Sequence, residues 1–116
     1  PEIQLRNTYL EKAEFYYRRA IELKNNYVDA LFGLSVLYVF EMNKPGEAKP
    51  LLEEALLYSG TDIQVMFLLA RVYAELGDVD AAVALYEKIA ETTEEDSQRR
   101  EAEDNKRRLL DEYYGS

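Results

Sequence analysis

The chain has 116 residues, of which 47% are hydrophobic and 32% are charged, as is typical of one folded domain with a modest core. Its formal net charge of -9 disfavours nucleic acid and anionic lipid as partners, and fits a basic or mainly apolar partner better. Cys and His are absent, which excludes disulfides, thiol nucleophiles and histidine-based catalysis. Because the sequence also lacks a glycine-rich phosphate loop and a metal-ligand pattern, we expect no enzyme, no cofactor and no metal site.

The N-terminal segment carries no visible targeting signal, because its first twenty residues lack the apolar stretch of a signal peptide. The uncharged run 31–40 is too short to cross a bilayer as a helix, which needs about 20 apolar residues. We therefore expect no membrane insertion. The chain begins with Pro1 rather than Met, so we expect a fragment or a processed product. The sequence does not distinguish the cytoplasm from the periplasm.

Five successive segments place mostly apolar residues at the three- and four-residue spacings of amphipathic helices. Short breaks that contain Asn, Gly or Pro separate them, and no segment alternates with period two for long enough to predict a strand. We predict an all-α fold. The five sets are Ala13, Tyr17, Ala20 and Ile21; Leu31, Leu34, Ser35 and Tyr38; Leu51, Leu52, Ala55 and Leu56; Met66, Leu69, Ala70 and Tyr73; and Ala82, Leu85, Tyr86 and Ile89.

The last segment, about 94–114, differs from the others because its apolar stripe is thin and its charged residues are many. A stack of repeats must end in a helix with one polar face, since the last hairpin has no neighbour to cover it. We predict that this segment is such a capping helix, in preference to the alternative that its charges form an acidic or basic docking face.

The second and third hairpins repeat one another. A set of four residues that begins with Leu31 is matched by similar residues 35 positions later. Three residues after the following loop are matched 34 positions later, so we predict one extra loop residue in the first copy. A period of this length indicates a helical repeat. The matched sets are Leu31, Leu34, Ser35 and Tyr38 with Met66, Leu69, Ala70 and Tyr73, and Ala48, Leu52 and Ala55 with Ala82, Tyr86 and Ile89.

These residues resemble the tetratricopeptide repeat (TPR) family, whose pattern is W-x₂-L-G-x₂-Y, then A-x₃-F, then P. Here Ser35 and Ala70 stand at the family glycine, while the Trp and the terminal Pro are replaced. The resemblance covers roughly residues 9–96. It implies a TPR-like solenoid, a right-handed superhelical stack of antiparallel helix hairpins.

In these terms we expect a single TPR-like domain over 1–116. It would contain a partial repeat at 1–27, repeats at 28–62 and 63–96, and the capping helix at 97–116. Only eight residues precede the clear helix of the partial repeat. Either the parent protein extends further towards its N-terminus, or residues 2–24 form one longer helix.

The resemblance implies that the first helix of each repeat lines a concave binding groove. We predict a groove that is apolar at one repeat and polar at the next, and that binds an apolar or amphipathic segment of a partner protein with a basic residue near Glu75. A scaffold, adaptor or chaperone-like role follows. The predicted groove residues are Phe32, Val36, Val39 and Phe40 in the first full repeat, and Gln64, Phe67, Arg71 and Glu75 in the second.

Three alternatives to this groove stay open. Phe32 and Phe67 could pack between neighbouring repeats, the missing helix of the first repeat could cover Val39 and Phe40, and the flank that contains Phe40 could pair with a second copy. The third alternative describes a structural or self-association module, a homodimer, within a larger protein whose activity lies elsewhere. We do not predict the Lys, Arg and Asn clamp with which some family members hold acidic chaperone tails, because Arg71 is the only basic residue in the two groove stripes.

Overall fold

Every regular element within residues 1–115, the part described by this computed structural model, is helical, which confirms the predicted all-α class. No helix in that part is both long and apolar enough to cross a membrane. The elements are α1 (Glu2–Glu22), α2 (Tyr27–Val36) with a π-helical turn (Leu37–Glu41), α3 (Pro45–Tyr58), α4 (Ile63–Glu75), α5 (Val79–Thr92) and α6 (Asp96–Tyr114).

The chain divides into two compact units, Pro1–Ser59 and Gly60–Ser116. In unit 1, α2 packs against both α1 and α3, and in unit 2, α5 packs against both α4 and α6. Residues Glu2–Glu22 form one continuous helix, which is one of the two arrangements that the sequence left open.

The repeat signature supplies the core of each unit. Ser35 and Ala70, the small residues at the family glycine position, are completely buried. The Ser35 hydroxyl donates a hydrogen bond to the carbonyl oxygen of Leu31 at 2.7 Å, so its burial leaves no polar group unpaired. The other buried members are Leu31, Leu34, Tyr38, Ala48, Leu52 and Ala55 in unit 1, and Met66, Leu69, Ala82, Tyr86 and Ile89 in unit 2.

The extra residue of the first repeat does not lie in the loop, as the sequence alignment predicted, but in the π-helical turn. The N–H of Met42 bonds the carbonyl of Leu37, five residues back, whereas the N–H of Leu76 bonds that of Val72, four residues back. The three-residue loops that follow, 42–44 and 76–78, have equal length. Both place a residue with positive φ, Asn43 or Gly77, at the same position.

Gly33 marks a close approach of α1 and α2. A Cβ atom at this position would lie 2.6 Å from Cζ of Tyr17 and 2.8 Å from its hydroxyl oxygen. The Tyr17 ring therefore fills the space that a larger residue would need, and the sequence pattern did not identify this contact.

A hydrogen-bonded cluster connects α1 to the π-helical turn. The Tyr38 hydroxyl donates to Oε2 of Glu14 at 2.6 Å, and Arg18 donates both to that carboxylate and to the Tyr38 oxygen. Burial, together with the hydrogen bond to Glu14, raises the pKa of Tyr38 to about 12. The hydrogen bond from Tyr38 lowers the pKa of the Glu14 carboxyl. The hydrogen bond between them thus stabilises the protonated form of Tyr38 and the ionised form of Glu14.

We expect Gly33→Ala to lower the free energy of unfolding by about 1 kcal/mol. Alanine gains about 1 kcal/mol over glycine within a helix, but the clash with Tyr17 costs about 1–3 kcal/mol. In a Tyr17→Ala background the clash is absent, so the same substitution should stabilise the protein. Urea denaturation followed by circular dichroism measures both. Gly46→Ala is the matched control, because a Cβ there meets nothing within 4 Å. Equal effects of Gly33→Ala in the two backgrounds would contradict the proposed contact.

Tyr38 should make the stability of the protein depend on alkaline pH. An unfolded tyrosine ionises near pH 10, whereas folded Tyr38 keeps its proton until about pH 12. Between these values the folded state binds more protons, so stability falls as the pH rises, by at most about 1.4 kcal/mol per pH unit. The difference in free energy of unfolding between wild type and Tyr38→Phe should therefore shrink from pH 9 to pH 12. A difference that stays constant over this range would show that Tyr38 titrates normally.

Candidate partner-binding site

Helix α4 presents the four predicted polar-groove residues of unit 2 on one face. The Asp62 side chain accepts hydrogen bonds from the N–H groups of Gln64 and Val65, at 3.0 and 3.2 Å, and this N-cap sets where the helix begins. The spacing of Gln64, Phe67, Arg71 and Glu75 then places them on successive turns of the same face. Phe67 is half-buried, and the other three are exposed.

An open cleft of about 390 Å³ lies beside this face, between α4 and α6. It combines two guanidinium groups, two carboxylates and one amide with a small aliphatic surface. The buried phenol of α5 also lines it. The residues are Arg71, Ala74 and Glu75 from α4, Asn105, Arg108, Leu109 and Glu112 from α6, and Tyr86 from α5.

Both guanidinium groups of the cleft affect the pKa of Tyr86. Burial raises the pKa of the Tyr86 hydroxyl, and the positive charges of Arg71 and Arg108 oppose that rise. The phenol therefore stays protonated at neutral pH and can both donate and accept a hydrogen bond. The Phe67 ring lies 6.4 Å from the Tyr86 ring at an angle of 55°, so Phe67 supports the cleft from the α4 side.

Arg71 and Glu75 already form an ion pair within the cleft. Nε of Arg71 donates to Oε1 of Glu75 at 2.9 Å, across one helical turn. The pair is largely solvent-exposed, so it adds little stability, but it holds the two opposite charges of the cleft beside each other. Glu75 is therefore matched by an internal cation, whereas the sequence analysis expected a basic residue of the partner beside it.

Helix α6 is held in place through the C-terminal end of α5. The Arg99 side chain donates to the carbonyl oxygens of Ala90 at 3.2 Å and Thr93 at 2.9 Å, and so satisfies acceptors that the helix end leaves without partners. Lys106 pairs with Glu87 of α5 at 2.7 Å, and Ala102 is completely buried. These contacts position the cleft residues of α6.

Helix α6 was predicted to be a cap rather than a docking face, so Asn105, Arg108 and Glu112 were not among the predicted site residues. Their i, i+3, i+7 spacing places them on one face, and this spacing was the available signal.

The four predicted groove residues of unit 1 differ in how far they are exposed. Phe32 and Val36 are half-buried, one turn apart on α2. Val39 is 8% exposed and belongs to the core of unit 1, while Phe40 is 52% exposed. The prediction assumed regular α-helical spacing, whereas Val39 and Phe40 lie in the π-helical turn, where side chains advance by a smaller angle per residue. Phe32, Val36 and Phe40 thus form what we call the apolar patch.

A second concavity, of about 410 Å³, lies in unit 1 around Lys24, Tyr27 and Tyr58. The two rings meet edge to face at 5.1 Å, and the Lys24 ammonium lies 3.9 Å from the centre of the Tyr27 ring. This ring face, which would attract a cation, is therefore covered by the chain itself. We assign the candidate site to the unit 2 cleft, which contains predicted residues and presents several polar groups.

Two family models match the chain, both described as tetratricopeptide repeat. One matches residues 39–103, more than half of the chain, and the other matches residues 2–27. The first match includes the second half of one predicted repeat, the whole of the next and the start of α6. Repeats of this family generally mediate protein–protein interaction and are not catalytic. The chain belongs to the tetratricopeptide repeat family.

Proposed function

We propose that this chain is a non-catalytic module that binds a segment of a partner protein in the unit 2 cleft, in the role of a scaffold, an adaptor or a chaperone-like holder. The observation that carries this proposal is the convergence of Arg71, Arg108 and Asn105 around the buried Tyr86. A peptide segment has carbonyl and N–H groups that can form hydrogen bonds with these polar side chains, whereas a purely apolar ligand has none.

The cleft chemistry favours an amphipathic segment. Asn105 can both donate to a peptide carbonyl and accept from a peptide N–H, while the two guanidinium groups offer forked donors for carboxylate or carbonyl oxygens. Leu109 and Ala74 provide a limited apolar surface for one aliphatic side chain. The balanced charges of the cleft select a partner by the position of its polar groups more than by its net charge.

The apolar patch of unit 1 is a second, separate surface for a partner. Fully burying one large aliphatic or aromatic side chain contributes roughly 1.5–3 kcal/mol, and the patch already buries part of Phe32 and Val36 within unit 1. Phe40 therefore offers the largest accessible area of the three.

Peptides selected on the wild-type chain from a display library should bind the variant Arg71→Gln/Arg108→Gln at least about tenfold more weakly, because the variant lacks charged hydrogen-bond donors in the cleft. Arg100→Gln/Arg107→Gln is the matched control, because it removes the same charge without changing a cleft residue. Fluorescence anisotropy measures each affinity. Selected peptides that bind both variants as tightly as the wild type would refute the cleft as the binding site.

The apolar patch requires its own test. Among the selected peptides, those with two or more large apolar side chains should bind Phe32→Ala/Val36→Ala at least about fivefold more weakly, provided that circular dichroism shows unchanged helix content. Leu57→Ala/Leu76→Ala, at two exposed leucines outside the patch, is the control. Unchanged binding to the Phe32/Val36 variant would remove the patch from the proposal and leave the cleft unaffected.

A further inference from the structure

Helix α1 leaves most of its apolar surface exposed. Of its large hydrophobic side chains only Leu10 is buried, whereas Leu5, Tyr9 and Tyr16 are 71%, 69% and 68% exposed. Leu23, directly after the helix, is also exposed. Several large apolar side chains exposed along one helix of a charged, acidic chain indicate an interaction site.

Together with the exposed cations Lys12 and Arg19, which lie between them, these residues follow the spacing of a coiled-coil seam. Successive positions are separated by four, three, four, three and four residues, which is the spacing of alternating d and a positions in a heptad. This seam lies on a different face of α1 from Leu10 and from Tyr17, which packs at Gly33 of α2. The α1 seam consists of Leu5, Tyr9, Lys12, Tyr16, Arg19 and Leu23.

We infer that α1 pairs in antiparallel orientation with α1 of a second copy of this chain, so that the module is a homodimer. A seam of six positions is symmetric about its centre, so an antiparallel partner with the same sequence places every seam residue opposite another seam residue. Such a contact is isologous, as closed dimers require.

The charges of the seam select the antiparallel orientation and a second copy as occupant. In this register Leu5 faces Leu23 of the other copy. Lys12 faces Tyr16, and Arg19 faces Tyr9, so each cation lies against an aromatic ring, which is a favourable contact. A parallel pair would instead place Lys12 against Lys12 and Arg19 against Arg19, which repel each other.

The residues beside the seam are compatible with close approach. Ala13, on one flank, would face Ala13 of the second copy, and Phe15, on the other flank, would face its own counterpart. Arg19 already pairs with Glu22 at 3.6 Å. A guanidinium group binds a carboxylate through its edge and stacks on a ring through its face, so both contacts can coexist.

The area available matches a weak, reversible dimer. Aromatic side chains bury about 150–250 Å² each when they are fully covered, so two copies of the seam and its flanks would bury on the order of 1,000 Å². This is near the lower limit for specific interfaces, and we expect dissociation constants in the micromolar range.

Sedimentation velocity over a wide concentration range tests the dimer. The wild-type chain should shift from monomer to dimer as its concentration rises. Tyr9→Gln/Tyr16→Gln, which places a good helix former at both positions, should raise the dissociation constant at least about tenfold. Ile3→Gln is the matched control, because Ile3 is 75% exposed on the same helix but lies outside the seam.

Engineered cysteines test the orientation, because the chain has no cysteine of its own. When Leu5→Cys and Leu23→Cys proteins are mixed and exposed to oxidised glutathione, we expect the mixed disulfide between the two variants. Each variant alone should give little crosslinked dimer.

Three outcomes would overturn the inference. The wild type could stay monomeric at all concentrations, as expected if another segment or another protein covers the seam. The dimer could persist in Tyr9→Gln/Tyr16→Gln and be lost instead in Phe40→Gln, which would place the contact on the apolar patch. A disulfide within Leu5→Cys alone would show a parallel pair.

Discussion

The close packing of neighbouring helices at small residues is the constraint on which the rest of the structure depends. Ser35 and Ala70 are completely buried, and Gly33 leaves room for the ring of Tyr17. A larger residue at any of these positions has no free space to occupy, so the groups packed around it would have to move. The packing in turn sets which helix faces stay exposed, and these faces carry the proposed binding surfaces.

The sequence period was sufficient to predict the hairpins but not the local geometry at the end of the first one. The matched residues from Leu31 to Tyr38 and from Met66 to Tyr73 identified the helices and their buried faces. The single extra residue was equally compatible with a longer loop and with a π-helical turn, because both keep the same residues in phase afterwards. The hydrogen bond from Met42 to Leu37 decides between them, and it changes the exposure of Val39 and Phe40.

The candidate site could be predicted only in part, for a similar reason. Periodicity on α4 placed Arg71 and Glu75 on one face, because this property depends on one helix alone. The contribution of Asn105 and Arg108 depends on how α6 packs against α5, through Arg99 and Lys106. The spacing of Asn105 and Arg108 places them on one face of α6 but does not show what that face meets, because a solvated end cap has the same charged pattern.

Helical periodicity predicted only one of the two faces of α1 that carry large apolar side chains. The helix carries an inward stripe towards α2 and an outward seam at the heptad spacing, and the predicted amphipathic pattern included only the first. Unit 1 buries part of the inward stripe and leaves the large apolar side chains of the seam exposed.

The balanced charges of the cleft have a kinetic consequence for a chain with a net charge of -9. Far from the surface, a partner experiences the field of the whole chain, so a basic segment approaches faster and its association rate falls with added salt. In the proposed mode of binding, a bound segment would meet equal numbers of guanidinium and carboxylate groups within the cleft. Its dissociation rate would then depend mainly on hydrogen-bond geometry, so added salt would slow association much more than it would change dissociation.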